Sequence, residues 1–186
     1  DAIDFGNLTQ SRSRIFTGSN SVRGVFAGGS SPTFVNTIDY ITIASEGNAI
    51  DFGSLSEARR GGSGSSSATR AVFGGGHTPT LVNTIDYVTI SSTGNAQDFG
   101  DLVDGRVAAG HVSSRTRDCI GGGYGPNTNN RIDSVEFAST GNATDFGDLI
   151  VVEQNPAGTS SQTRGVFAGG QSAFVNTIQY ITITST

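Results

Sequence analysis

The chain has no methionine, no tryptophan and no lysine, and in 186 residues it has one cysteine, two histidines and four prolines. A lone Cys119 excludes an intramolecular disulfide, and its expected state is a small buried hydrophobe in a strand. His77 and His111 have no cysteine or second histidine near them at ligand spacing, so no metal site and no cofactor are expected. There is no GxSxG motif and no catalytic carboxylate pair, which points away from an enzyme. Apolar runs reach only a few residues, far short of a membrane span. The net charge is −5 with both signs interspersed, so no basic stripe exists and nucleic acid is not an expected partner. A charged leader followed by an apolar segment is missing, so no signal peptide is visible.

What is present is repetition. Phe5, Phe52, Phe99 and Phe146 each sit in a DFG triplet, 47 residues apart, and Arg23, Arg70, Arg117 and Arg164 keep the same step. The glycine pairs ending at Gly29, Gly76, Gly123 and Gly170 do likewise. A fixed period of this size with strand-like patterning signals a repeat architecture. In the second copy, 62–67 is small and polar and 70–74 is compact and apolar. Residues 84–91 alternate Ile85, Tyr87, Val88 and Ile90 with polar residues, and 96–102 carries Phe99. Glycine pairs and TGN-type turns separate these runs.

Four short strands per unit predict an all-β chain, folded as a four-bladed β-propeller. The expected repeats span approximately 2–48, 49–95, 96–142 and 143–186 within a single domain, 1–186. The ring is expected to close when the N-terminal segment Ala2–Leu8 (AIDFGNL) supplies the outer strand of the last blade, whose own repeat stops at NTIQYITITST. The chain starts inside a repeat at Asp1, which suggests a fragment or a processed product.

Four blades crowd the axis, so the inner strands need small residues: Gly61, Gly62, Ser63 and Gly64, then Ala108, Ala109 and Gly110, then Ala157 and Gly158. Ile15 and Phe16 break this rule and are expected to plug the axis. Phe26, Phe73, Phe167, Ile38, Ile85, Ile132, Ile178 and the four DFG phenylalanines are the expected interblade core, each worth about 1.5–3 kcal/mol when fully buried.

The order of features resembles the kelch repeat. A strand ends in paired glycines (VFAGG, VFGGG, CIGGG, VFAGG), a spacer and a strand with an aromatic follow (IDYITI, IDYVTI, IQYITI), and an arginine precedes the next Gly-rich strand. Phe of DFG stands where kelch repeats usually carry Trp, and Ser134 replaces the tyrosine in the third copy. The phrasing around NTIDY, TGNA and DFGDL is similar to kelch-like repeat proteins of marine bacteriophages. That resemblance implies a virion or tail-associated protein, extracellular or on the particle. Its expected partner is a host-surface glycan or another virion protein. A monomer is expected, with a homodimer forming an eight-bladed ring as the alternative. A purely structural scaffold and, further off, a polysaccharide-active enzyme are the competing functions, since the fold does not select one.

Residues that differ between copies are where recognition is expected, because shared residues already answer to the fold. The loops SSPTFVN (Ser30 to Asn36), HTPTLVN (His77 to Asn83), YGPNTNN (Tyr124 to Asn130) and QSAFVN (Gln171 to Asn176) should share one face with loops carrying Arg12, Arg14, Arg59, Arg60 and Arg106. Tyr124, Asn127, Asn129, Asn130 and Arg131 combine an aromatic face with amide donors and acceptors that suit a sugar. His77, Arg59 and Arg106 complete the candidate ligand set. Arg23, Arg70, Arg117 and Arg164 have two readings: structural pairs with Asp39, Asp86 and Asp133, or an axial ring that gathers an anion. Asp4, Asp51, Asp98 and Asp145 of the DFG triplets are expected to bond backbone donors or to pair with those arginines, with a cation site as the alternative.

Overall fold

A computed structural model describes residues 1–126, 130–171 and 175–184. The protein is a four-bladed β-propeller built from antiparallel sheets. Blade 1 holds β1 (Phe16–Ser19), β2 (Arg23–Ala27), β3 (Thr37–Thr42) and β4 (Ile50–Ser54). Blade 2 holds β5 (Ser63–Ser66), β6 (Arg70–Gly74), β7 (Thr84–Thr89) and β8 (Gln97–Asp101). Blade 3 holds β9 (Gly110–Ser113), β10 (Arg117–Gly121), β11 (Arg131–Glu136) and β12 (Thr144–Asp148). Blade 4 holds β13 (Ala157–Ser160), β14 (Arg164–Ala168) and β15 (Ile178–Thr182). Each strand pairs with its sequence neighbour, and the register repeats from blade to blade: Phe26 faces Asp39, Phe73 faces Asp86 and Phe167 faces Gln179.

Apolar cores lie between blades. Phe16, Val25, Ile38 and Phe52 of blade 1 meet Ala71, Phe73, Val88 and Ile90 of blade 2. Val72, Ile85, Phe99 and Leu102 meet Ile120, Val135 and Phe137 at the next joint. Val112, Cys119, Ile132 and Leu149 meet Phe167 and Ile183 at the third. Phe16 therefore does not plug the axis. Its ring packs edge-on to Phe73 at 6.1 Å, where aromatic burial gains more than a lining position would give. Burial at the third joint pushes the Cys119 thiol from 9.0 up to about 12, with the neighbouring Asp118 charge adding to the effect, so the thiol stays protonated at neutral pH.

The fourth joint differs. Residues 1–8 dock on blade 1 as β4 and β8 dock on blades 2 and 3. Gly47 N donates to Phe5 O as Gly94 N does to Phe52 O and Gly141 N to Phe99 O. Against the expectation that this segment completes the last blade, no ladder joins it to β15 among the described residues, and the fourth sheet has three strands. Ile178 is 74% exposed where Ile38, Ile85 and Ile132 are buried, and Phe26 is only half-buried. The physical reason is that a strand can seat on the next blade through its turn contacts without forming the ladder to its own sheet.

Blade-to-blade approach depends on glycine where the DFG strand meets the next turn. A Cβ at Gly6, Gly53 or Gly100 would overlap the carbonyl of Gly47, Gly94 or Gly141, whereas no described atom lies within 4 Å of one at Gly147. Gly100 and Gly147 share nearly the same backbone, with φ of 141° and 143°. Gly100→Ala should therefore destabilise more than Gly147→Ala by the overpacking cost alone, about 1–3 kcal/mol. Urea unfolding of both variants measures the difference, and equal losses would mean that backbone strain, not close approach, selects the glycine.

Candidate functional site

One end of the propeller is built by two loop families that bind each other. The β4–β5 type loops and the β2–β3 type loops meet in isolated bridges, Ser13 with Ser30, Arg60 with His77 and Val107 with Tyr124. Nearer the axis, Arg14, Gly61, Ala108 and Asn155 occupy equivalent places with left-handed backbones. Their amides link in series: Gly61 N donates to Arg14 O, Ala108 N to Gly61 O and Asn155 N to Ala108 O. The chain accepts positive φ at three non-glycine residues because this collar of hydrogen bonds holds them.

The collar forms the floor of a funnel of about 660 Å³. Its polar lining comes from Arg14, Arg60, His77, Tyr124, Gln154 and Asn155, with Ile15, Leu81, Val107 and Pro156 supplying apolar wall. Tyr124 is 52% exposed and stands ready for stacking. The His77 ring lies edge-on to Phe34 at 5.6 Å, and the Arg60 guanidinium covers the same Phe34 ring at 5.1 Å while donating to Ser30 Oγ. No carboxylate lines the funnel among the described residues.

Two of the expected ligand residues are elsewhere. Arg59 and Arg106 are buried and belong to a repeated ion pair. Arg59 Nη1 reaches Asp86 at 2.8 Å, Arg106 Nη2 reaches Asp133 at 2.6 Å, and Arg12 Nη2 reaches Asp39 at 3.0 Å. Each guanidinium also donates to the backbone of its own blade. Arg59 Nε bonds Gly75 O and Nη2 bonds Phe73 O, Arg106 Nη2 bonds Ile120 O, and Arg12 Nη2 bonds Phe26 O. The aspartates cap the preceding outer strand as well: Asp86 accepts from Ser56 N and Oγ, and Asp39 from Thr9 N and Oγ1. Burial pulls the Arg106 pKa down and pushes Asp133 up, each opposed by the partner's charge. Desolvation thus offsets much of the attraction within each pair. A partial signal was in the sequence: Arg23, Arg70 and Arg117 also keep a fixed interval to these aspartates, but the fourth copy retains Arg164 while changing both members of the observed pair, to Glu153 and Gln179.

Arg23, Arg70, Arg117 and Arg164 neither pair with those aspartates nor gather on the axis. Arg23, Arg70 and Arg164 lie over Tyr40, Tyr87 and Tyr180 at 4.4, 4.6 and 4.5 Å, and Arg117 lies over Phe146 at 5.7 Å. Three of them also cross a joint, Arg23 to Ile90 O, Arg70 to Phe137 O and Arg117 to Ile183 O. A delocalised, weakly hydrated guanidinium suits an aromatic face bordered by carbonyls, which explains their recurrence without an anion.

Asn130 bonds Leu149 in both directions and Arg131 is held by Asp104, and neither lines the funnel. Asn127 and Asn129 lie outside the described residues. Asp4, Asp98 and Asp145 accept from Gly6, Gly100 and Gly147 backbone amides, a local turn role. Of the expected set, His77 and Tyr124 reach the funnel, while Gln154 and Asn155 were missed because a polar pair in a loop carries no chemistry until the collar places it.

No protein-family model matches this chain, and none of the curated proteins matches it.

Removing Arg59 while leaving Asp86 strands a buried charge. Arg59→Met should cost about 3–5 kcal/mol, and Arg59→Met with Asp86→Leu should recover most of that loss. Thermal or denaturant unfolding of the single and double variants reads the coupling directly.

Proposed function

We propose that the protein is a non-enzymatic recognition module whose ligand is a host-surface glycan bearing acidic groups, bound in the axial funnel of a kelch-like phage virion or tail component. The observation that carries this reading is that the funnel wall coincides with the positions at which the four copies differ. Arg60, Val107 and Gln154 are equivalent, as are Arg14, Gly61, Ala108 and Asn155, and as are His77 and Tyr124. Most core positions of the second, third and DFG strands keep apolar residues between copies, so the variation is greatest where fold imposes least and a ligand would select most.

The chemistry of the wall supports a sugar. Tyr124 offers an aromatic face, Asn155 and Gln154 offer amides, and Arg14 and Arg60 supply positive charge with no carboxylate among the described lining residues to offset it. Such a mixture of apolar wall and few convergent polar groups is typical of small-ligand sites. The virion setting and the kelch relationship rest on the resemblance of the repeats. A scaffold role is the second reading, favoured by β15, which among the described residues has a ladder on one side only and exposes Ile178 and Tyr180.

Binding of the whole chain to a panel of neutral, uronic, sialylated and sulfated glycans tests the reading. Saturable binding to acidic members, weakened at least about tenfold by Tyr124→Ala or Arg60→Ala, is expected, a tenfold loss being ~1.4 kcal/mol. Binding that survives both substitutions would remove the funnel as the site. A folded chain that binds no glycan but self-associates in light scattering would favour the scaffold.

A further inference from the structure

The fourth copy breaks the Arg–Asp pattern in a way that leaves a buried acid without a partner. Glu153 takes the backbone place of Arg59 and Arg106: Gly123 N donates to Glu153 O as Gly29 N donates to Arg59 O and Gly76 N to Arg106 O. Its side chain follows the same path. A Cβ at Gly76 would touch Arg59 Cδ, and one at the equivalent Gly170 would overlap Glu153 Oε2. Glu153 is fully buried, and neither of its carboxylate oxygens has a hydrogen-bond partner. Among the described residues it is the one buried ionisable side chain with every charged oxygen unpartnered.

The surroundings are those of a cation. In blades 1 to 3 this cradle consists of a strand carbonyl (Phe26, Phe73 or Ile120), in blade 2 also the Gly75 carbonyl, and a carboxylate, all directed at a guanidinium. Phe167 faces Gln179 as Phe73 faces Asp86, so the Phe167 and Gly169 carbonyls are the blade 4 counterparts of the Phe73 and Gly75 carbonyls that hold Arg59. Gln179 is buried and keeps the capping role, its Oε1 accepting from Ile150 N at 2.7 Å as Asp86 Oδ2 accepts from Ser56 N. An amide in place of the aspartate and a carboxylate in place of the arginine leave one negative charge among neutral oxygens.

We infer that Glu153, with the carbonyls of Phe167 and Gly169 and the side-chain oxygen of Gln179, forms a site for a hard cation, Ca²⁺ in the first place, which takes the position filled by guanidinium groups in the other blades. Calcium suits a mixed set of carboxylate, carbonyl and amide oxygens, whereas Mg²⁺ demands stricter octahedral geometry and retains its waters. No group of three or more His, Cys, Asp or Glu side chains is gathered among the described residues, so this is a carbonyl-rich site and not an acidic cluster. With a single carboxylate its dissociation constant should fall in the weak range of extracellular modules, about 0.1 to 1 mM.

The test is calorimetric titration of the chelator-treated full chain with CaCl₂ and separately with MgCl₂, alongside thermal unfolding at each concentration. One Ca²⁺ per chain and a rising Tm are expected, with a smaller Mg²⁺ response. Glu153→Gln should lose both effects. Glu153→Arg combined with Gln179→Asp restores the pattern of the other blades, and it should fold, unfold at a Tm no lower than the parent in chelator, and ignore Ca²⁺. No Ca²⁺ response in the parent chain, or a response unchanged in either variant, would overturn the assignment. Glycan binding that persists in the Ca²⁺-insensitive variants would leave the funnel reading intact.

Discussion

Neighbouring blades approach one another backbone to backbone, and the packing of the propeller follows from that closeness. Four sheets around one axis leave little room at the inner strands, so Gly62 and Gly64 pass against Phe16 and the Thr17 backbone with no space for a Cβ. The same closeness at the periphery lets the DFG strand accept amides from the next blade's turn. Once backbones meet at this distance, side chains from both blades interlock above and below them. Each joint then becomes a small hydrophobic core of its own, which is why the apolar residues form three separate clusters.

The polar architecture follows from the same geometry. A joint that brings an outer strand, a loop and the next blade together would bury loop carbonyls and amides, and the Arg–Asp pairs satisfy them. Asp39 and Asp86 cap the incoming strand, and the arginine beside each takes strand and loop carbonyls while neutralising the charge. A second set of arginines sits over aromatic rings and ties one blade to the next through carbonyls. Eleven basic residues, all arginine, serve a chain that needs planar, delocalised cations at joints more than flexible point charges. With the frame held this way, the collar and its funnel are free to vary between copies.

Some of this was open to direct reading. The period of 47 residues, the four strands of the second copy and the identity of most core residues follow from pattern alone, because strand alternation and turn chemistry are local. An arginine in a loop reads as exposed, and the fold turns the loops of Arg59 and Arg106 inward onto strand and loop carbonyls. Phe16 was misplaced for a similar reason, since an aromatic near an axis can face the channel or the joint, and the pairing with Phe73 decides it.

Spacing and residue type along the chain specify the repeat, the strand class, the blade count and the positions at which the copies differ. The rotation of blades about the axis brings each arginine onto its aspartate, buries Glu153 without a partner, and sets Arg60, His77, Tyr124 and Asn155 around one funnel. It also decided that the N-terminal segment seats on blade 1 without forming a ladder to β15. These are relations between residues far apart in the chain, and they depend on how blades rotate about the axis, which no local preference encodes.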